Sequence, residues 1–259
     1  MSEISRRRFL GSAAAAAVLA EGLLPLEGAQ KEPARRQNRL RVQFTTGGHF
    51  VPLSSFSMFT DVTFEDLETT AFPHPRAFRN LNGETGEPSP DVLVLYDYFT
   101  ESYDDQDQQS IRRYLDSGKG LVVLHHALCD NQRLPWWREE VTGGALIQLG
   151  VDGIKRGRLK QFPVQQLEPV GEHPIVRGLP PFLLPRDELF VDMWLSPRIT
   201  PLLKSNDPDL SNGTLAWIGV HPKARVVCMQ PGHTAQVCAH PRYREIVHNM
   251  ILWSGRRLS

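Results

Sequence analysis

Apolar residues are concentrated in two short runs of the chain, residues 91–96 and 120–124. A run that is apolar at nearly every position is typical of a strand buried on both faces of a sheet. Between the two runs, residues 104–117 carry apolar side chains at helical spacing, and Gly118 follows where a helix can end. The order of strand, helix and strand predicts a parallel sheet with helices on both faces, which is an α/β fold.

Other patterns extend this prediction along the chain. Residues 40–44, 157–167 and 225–229 predict further strands, and residues 241–256 predict a closing helix whose apolar stripe docks on the sheet. Neither an internal repeat nor a linker rich in proline and serine divides these elements. We therefore predict one domain over residues 39–257.

The first 29 residues have the pattern of an export signal. Three consecutive arginines at residues 6–8 precede an apolar run that Glu21 interrupts, and this run is well short of the ~20 residues of a spanning helix. The pattern predicts a twin-arginine signal over residues 1–29, hence a periplasmic or secreted protein without a permanent membrane anchor. The polar and basic residues 30–38 predict a flexible lead-in.

Composition narrows the classes of partner. The chain has 29 Lys plus Arg against 29 Asp plus Glu, so it has no net charge with which to gather phosphates, and a nucleic-acid partner is disfavoured. Its three cysteines cannot form a disulfide framework and leave at least one thiol free. We therefore expect a globular domain that is stabilised by burial alone.

Four of the nine histidines follow predicted strands. His49 comes after residues 40–44, His125 and His126 come directly after residues 120–124, and His233 comes shortly after residues 225–229. Ligands of open parallel sheets bind beyond the carboxyl ends of the strands, so we expect these four imidazoles to share one site. The other histidines precede prolines or lie in the closing helix: His74, His173, His221, His240 and His248.

Three roles are open for this predicted site. His49, His125 and His233 are candidate ligands of a divalent metal, with Glu188 as an oxygen ligand, although no local ligand spacing such as His-Glu-x-x-His occurs. Alternatively, His125, His126, His233 and Glu188 act as catalytic acids and bases, or the imidazoles only hydrogen-bond a ligand. The sequence does not identify any cofactor beyond this candidate divalent metal.

Residues that flank the histidines suit a carbohydrate ligand. Tyr96 and Asp97 follow the second apolar run, Trp137 follows the histidine pair, and Gly48 belongs to the glycine turn before His49. Aromatic faces stack on the C–H faces of sugars and carboxylates bind hydroxyls, so these five residues are candidate substrate-binding residues. The alternative for Trp137 is an ordinary packing role at the start of a helix.

These residues resemble the ThuA-like, or trehalose-utilisation, domain family, a branch of the class I glutamine amidotransferase-like fold. The resemblance spans residues 39–256. The order and spacing of its sequence motifs together are more specific than any single motif. It rests on TGGH at residues 46–49, residues 91–96, GKGLVVLHHA at residues 118–127, Trp137 with Gly143 and Gly144, HPIVRGLP at residues 173–180, DEL at residues 187–189, Ala216 with Trp217, Gly232 with His233, and PRY at residues 241–243 leading to ILW at residues 251–253.

The resemblance implies a flavodoxin-like sheet, a role in carbohydrate metabolism and a pocket around His49, His125, Glu188 and His233. The amidotransferase relatives place a cysteine after the strand where this chain has His125, so glutamine hydrolysis is not expected. Two hypotheses follow: an exported enzyme acting on trehalose, another glycoside or a keto-sugar, or a sugar-binding module without turnover. The ligand in both is a small carbohydrate, and the sequence does not define an oligomeric state.

Overall fold

The computed structural model describes residues 39–60, 64–74, 76–79, 81–84, 86–151, 153–207, 210 and 213–259. The predicted export signal and lead-in lie outside the described residues. Among those residues, no helix has both the length and the apolar character that crossing a membrane requires.

The described chain alternates short strands and helices. The strands are β1 (Leu40–Gly47), β2 (Leu67–Pro73), β3 (Val92–Asp97), β4 (Gly120–Leu124), β5 (Gly144–Ala145), β6 (Arg158–Phe162), β7 (Gln165–Pro169), β8 (Phe182–Leu184), β9 (Asp187–Val191), β10 (Trp194–Leu195), β11 (Thr200–Lys204), β12 (Thr214–Ile218) and β13 (Val226–Met229). The helices are α1 (Leu53–Thr60), α2 (Asp105–Asp116), α3 (Ala235–Ala239) and α4 (Pro241–Ser254), with 3₁₀ segments at Arg76–Phe78 and His125–Cys129 and a π-helical segment at Trp137–Thr142.

Nine strands form one sheet in the order β2-β1-β3-β4-β13-β12-β11-β7-β8. The first five strands run parallel to one another. The remaining pairs are antiparallel, from β13 and β12 outward to β7 and β8. The α/β class is confirmed, but the prediction of a wholly parallel sheet is wrong, since one half of this large sheet is antiparallel.

The strand predicted over residues 157–167 is in fact two strands. β6 pairs with β9 in a separate two-stranded ribbon, whereas β7 joins the main sheet. Pro163 lies between them, and a residue without an N–H group cannot continue a ladder. The ribbon matters for the site because it carries the DEL motif at residues 187–189.

Helices cover both faces of the parallel half, as predicted. α2 begins at the N-cap Asp104, whose side chain accepts a hydrogen bond from the Asp107 N–H, and ends before Gly118 with φ +84°. Side chains alternate along each strand, so Val92 and Leu93 of β3 enter separate cores on opposite faces. The parallel strands therefore deliver the residues that follow them to one edge of the sheet.

Candidate functional site

Four side chains meet at the carboxyl edge of the parallel strands, and we call them the histidine site: His125, His126, Glu188 and His233. They come from the turn after β4, the start of β9 and the loop after β13. Each of these side chains contributes one nitrogen or oxygen atom to the cluster, and these four atoms all lie within 4.8 Å of one another. The structure thus brings together three of the four imidazoles that were predicted to share a site, together with the predicted carboxylate.

His125 is held in a fixed orientation. Its backbone is left-handed, with φ +47°, which is uncommon for a residue that has a Cβ atom. Its side chain is fully buried, and Nδ1 lies 2.6 Å from the carbonyl oxygen of Gln230. Because a carbonyl oxygen only accepts, Nδ1 carries the proton and Nε2 presents its lone pair. Nε2 has no hydrogen-bond partner and lies 3.9 Å from Glu188 Oε1.

Glu188 is the common neighbour of the three imidazoles. Its Oε1 lies 3.3 Å from His126 Nε2, 3.8 Å from His233 Nδ1 and 3.9 Å from His125 Nε2. Its Oε2 accepts a hydrogen bond of 3.3 Å from Gln161 Nε2, and Gln161 stands opposite Glu188 in the β6–β9 ribbon. Sequence reasoning missed Gln161, since no pattern along the chain shows which strands pair.

The carboxylate of Asp187 fixes the loop that carries His233. It accepts hydrogen bonds from the backbone N–H groups of Gly232 at 2.7 Å, His233 at 3.0 Å and Thr234 at 2.9 Å. Burial raises the pKa of Asp187 to about 6, although these N–H groups act in the opposite direction. Adjacent carboxylates therefore have separate tasks: Asp187 holds the backbone, and Glu188 faces the imidazoles.

Burial sets the protonation of the histidine site. It lowers the pKa of His125 well below its usual range, with a further contribution from the neighbouring His126. Burial also lowers the pKa of His126 and of His233. For Glu188, burial acts to raise the pKa, but the hydrogen bond from His126 and the nearby imidazoles outweigh it and lower the pKa. Burial thus favours the neutral form of the three imidazoles, whereas the contacts of Glu188 favour its ionised form.

His49 lies at the exposed rim of the histidine site. Its ring centroid is 4.2 Å from that of His126 and 5.5 Å from that of His233. Its Nδ1 lies 2.8 Å from the carbonyl oxygen of Phe50, so it is a neighbour of the four-residue cluster and not a member. Tyr98 packs against both His49 and His126, and sequence reasoning missed it.

Gly48, predicted to bind substrate, has a backbone role that the structure explains. Its φ is +70°, and a Cβ atom at this position would lie 1.9 Å from the carbonyl oxygen of Tyr98. Only glycine allows this approach, which brings the segment carrying His49 against the segment carrying Tyr98.

Three other predicted substrate-binding residues lie in the interior instead. Tyr96 is 5% exposed and its hydroxyl donates to the carbonyl oxygen of Gly232. Trp137 is 1% exposed and packs edge-on against Tyr103, which agrees with the packing alternative. Asp97 is 1% exposed. The structure thus places these three side chains in the interior of the protein.

Asp97 belongs to a second polar group, which we call the acid cluster: Asp97, Asp130, His74 and Tyr103. His74 Nε2 lies 3.7 Å from Asp97 Oδ2, and the Tyr103 hydroxyl donates to Asp130 Oδ2 at 3.0 Å. Burial raises the pKa of Asp97 to about 7 and that of Asp130 well above its usual range, the latter helped by the negative charge of Asp97. Burial lowers the pKa of His74 to about 4.

Fold and site define an α/β protein with a polar site at the carboxyl ends of parallel strands. The sequence matches the family described as "ThuA: Trehalose utilisation" over residues 88–254, which is more than half of the chain. The chain therefore belongs to the ThuA family, and the predicted family is confirmed.

Solved structures show the same fold. A putative ThuA-like protein from Parabacteroides merdae ATCC 43184 superimposes with a TM-score of 0.64 at 16% identity, covering 84% of this chain and 90% of that chain. A putative ThuA-like protein from Bacteroides uniformis ATCC 8492 gives a TM-score of 0.63 at 15% identity, covering 83% of this chain and 91% of that chain. No curated protein matches the sequence.

Proposed function

We propose that this protein is an exported enzyme of carbohydrate metabolism that acts on a glycoside or keto-sugar at the histidine site. One observation carries the proposal: three imidazoles and a carboxylate converge while His125 Nε2 and His233 Nδ1 have no hydrogen-bond partner. Buried polar atoms in a purely structural cluster are normally paired. Unpaired atoms also occur at His74 and Asp97 of the acid cluster, but those of the histidine site belong to a group in which Glu188 and His233 reach solvent, so they are available to a substrate or a cofactor.

The chain's own groups suit chemistry on a hydroxyl or carbonyl compound. Neutral imidazoles accept protons, and the ionised Glu188 stabilises positive charge beside it. At the rim, His49 and Tyr98 present ring faces and polar edges where a sugar can enter. The trehalose-utilisation family supports the substrate class.

The alternative function, a sugar-binding module without turnover, requires histidines that protein partners already satisfy. The unpaired nitrogens of His125 and His233 favour the enzyme. A direct test is to incubate the purified full-length chain with trehalose, simple glucosides and their 3-keto derivatives, and to follow products by NMR.

We expect turnover of at least one of these sugars, with kcat/KM reduced by about 10²–10⁴ in His233→Ala, the usual contribution of a proton-transferring side chain. The control is His248→Gln, because His248 pairs with Asp66 away from the site. Saturable sugar binding without any product would favour the binding module. Turnover that His233→Ala retains in full would place the chemistry elsewhere.

A further inference from the structure

We infer that the histidine site is a mononuclear centre for a first-row transition-metal dication, with His125 Nε2, His126 Nε2, His233 Nδ1 and Glu188 Oε1 as ligands. The inference rests on the proposed function in that both assign chemistry to the same side chains, and it adds the identity of the cofactor. The three nitrogens named are the ring atoms that lie nearest to Glu188 Oε1, and His126 Nε2, which hydrogen-bonds Glu188 in this structure, would carry no proton as a ligand.

Spacing is the first argument. Ligand atoms at ~2.0–2.2 Å from a tetrahedral ion stand about 3.3–3.6 Å from each other. The three distances from Glu188 Oε1 are 3.3, 3.8 and 3.9 Å. All four atoms lie within 4.8 Å of one another, so small side-chain movements toward a common centre produce the coordination distances.

The buried and unpaired nitrogen of His125 is the second, independent argument. This side chain is 0% exposed, and its Nε2 points into the cluster without a hydrogen-bond partner. Its Nδ1 donates to the Gln230 carbonyl oxygen, which fixes both the ring and the tautomer. A histidine that ligates a metal almost always donates its other ring N–H group in this way.

The support around the other ligands follows the same rule. Gln161 donates to Glu188 Oε2 and leaves Oε1 for the centre. Asp187 holds the backbone of the loop of His233 through three N–H groups, one of which is that of His233 itself. Such outer contacts orient ligands before an ion arrives.

The donor set also indicates the class of metal. Three imidazole nitrogens and one carboxylate oxygen suit Zn²⁺ and its transition-metal neighbours, whereas Ca²⁺ and Mg²⁺ prefer oxygen ligands alone. Four protein ligands fill a tetrahedral shell, so catalysis by the ion would require a fifth coordination position, at which it would polarise a substrate oxygen or activate a water molecule.

The test measures metal binding in the absence of sugar. Full-length chain is stripped with a chelator, dialysed and titrated with ZnCl₂ by calorimetry, and the ion that remains after dialysis is counted by elemental analysis. We expect one Zn²⁺ per chain. Its affinity should be at least about 100-fold lower in His233→Ala and Glu188→Gln, because loss of even an outer contact of a metal site lowers metal affinity by about 10–100-fold. The same titration with CaCl₂ should show no stoichiometric binding.

Two controls keep the result interpretable. His248→Gln removes a histidine outside the cluster and should bind Zn²⁺ as the natural chain does. His233→Ala removes a partly exposed side chain whose Nδ1 has no hydrogen-bond partner, so its fold, checked by circular dichroism, should persist.

Three results would overturn the inference. They are no stoichiometric Zn²⁺ in the folded natural chain, stoichiometric Zn²⁺ that His233→Ala and Glu188→Gln retain, or sugar turnover at full rate by the metal-free chain. The last result would leave the proposed function intact. Zn²⁺ bound as expected, without turnover of any sugar, would support the metal centre and contradict the proposed enzyme.

Discussion

The histidine site and the acid cluster both gather titratable side chains near the carboxyl ends of parallel strands, but they differ in their access to solvent. In the histidine site, Glu188 and His233 keep 15% and 27% of their side chains exposed. In the acid cluster, Asp97 and His74 keep 0% and 5%. Strand position alone therefore does not define a site, and access from solvent separates the two clusters.

The acid cluster instead ties segments together. Asp130, four residues after His126, accepts the backbone N–H of Phe99 at 2.6 Å and the hydroxyl of Tyr103. Its neighbour Asp97 ends β3, and His74 follows β2. Raised acid pKa values and a lowered histidine pKa reduce the charge buried there at neutral pH. The acid cluster therefore links the segments that follow β2, β3 and β4.

The largest expected difference between the clusters is in activity. Glu188→Gln and Asp97→Asn are the same change of a carboxylate to an amide, made once in each cluster. We expect Glu188→Gln to reduce kcat/KM by about 10²–10⁴ and Asp97→Asn to change it only a few-fold. The measurement is steady-state kinetics on the sugar that the natural chain turns over. An equal loss of kcat/KM in both variants would contradict the different roles of the two clusters.

The next effect tests the packing that seals the acid cluster. Trp137→Ala removes a buried ring beside Tyr103, and the cavity should lower the free energy of unfolding by about 3–5 kcal/mol. Urea unfolding measures this loss. Trp136→Ala is the matched control, because Trp136 is half-exposed, and it should cost clearly less. Similar losses in both variants would contradict the core position of Trp137.

A smaller effect is expected in the pH dependence of stability. The folded pKa of Asp97, about 7, is above the value for an unfolded aspartate, so its favourable contribution is complete below about pH 4 and is lost as pH rises through 7. His74 acts oppositely, and its contribution grows between about pH 4 and 6.5.

Asp97→Asn removes the first of these contributions, together with the negative charge that helps to raise the pKa of Asp130. Relative to the natural chain, its free energy of unfolding should therefore rise with pH from 4 to 7, by at most about 1.4 kcal/mol per pH unit. Urea unfolding at several pH values measures this slope. A difference that is constant with pH would show that Asp97 titrates normally.

The smallest expected effect concerns the backbone contact between the segments of His49 and Tyr98. Gly48→Ala and Gly86→Ala both place a methyl group on a left-handed backbone, but nothing lies within 4 Å of the Cβ position at Gly86. Gly48→Ala should cost about 1–3 kcal/mol more than Gly86→Ala, because its methyl group meets the Tyr98 carbonyl oxygen. Thermal unfolding of the two variants provides the comparison, and equal losses would mean that this contact is not tight.

In the parallel half of the fold, β3, β4 and β13 could be predicted because each is a continuous apolar run, whereas β2, which is mostly exposed, was not predicted. In the antiparallel half, β8 and β11 could not be predicted, since each contains exposed positions instead of a continuous buried run. Only Pro163 signals along the chain that residues 157–167 belong to two sheets.

The same contrast applies to the site. His125, His126 and His233 could be predicted because the carboxyl ends of parallel strands converge, and Glu188 because of its motif. The burial of Asp97 could not be predicted because the end of a strand does not show whether the next side chain points toward solvent or into the interior. Gln161 and Asp130 act through partners remote in sequence, and no local pattern indicates such contacts.

All three cysteines, Cys129, Cys228 and Cys238, are buried and unpaired. Burial raises the pKa of each thiol, so each resists forming the reactive thiolate. The fold consequently requires no oxidation step and gains nothing from one. A chain built in this way can complete its folding in a reducing compartment and work unchanged in an oxidising one, as the proposed export in the folded state requires.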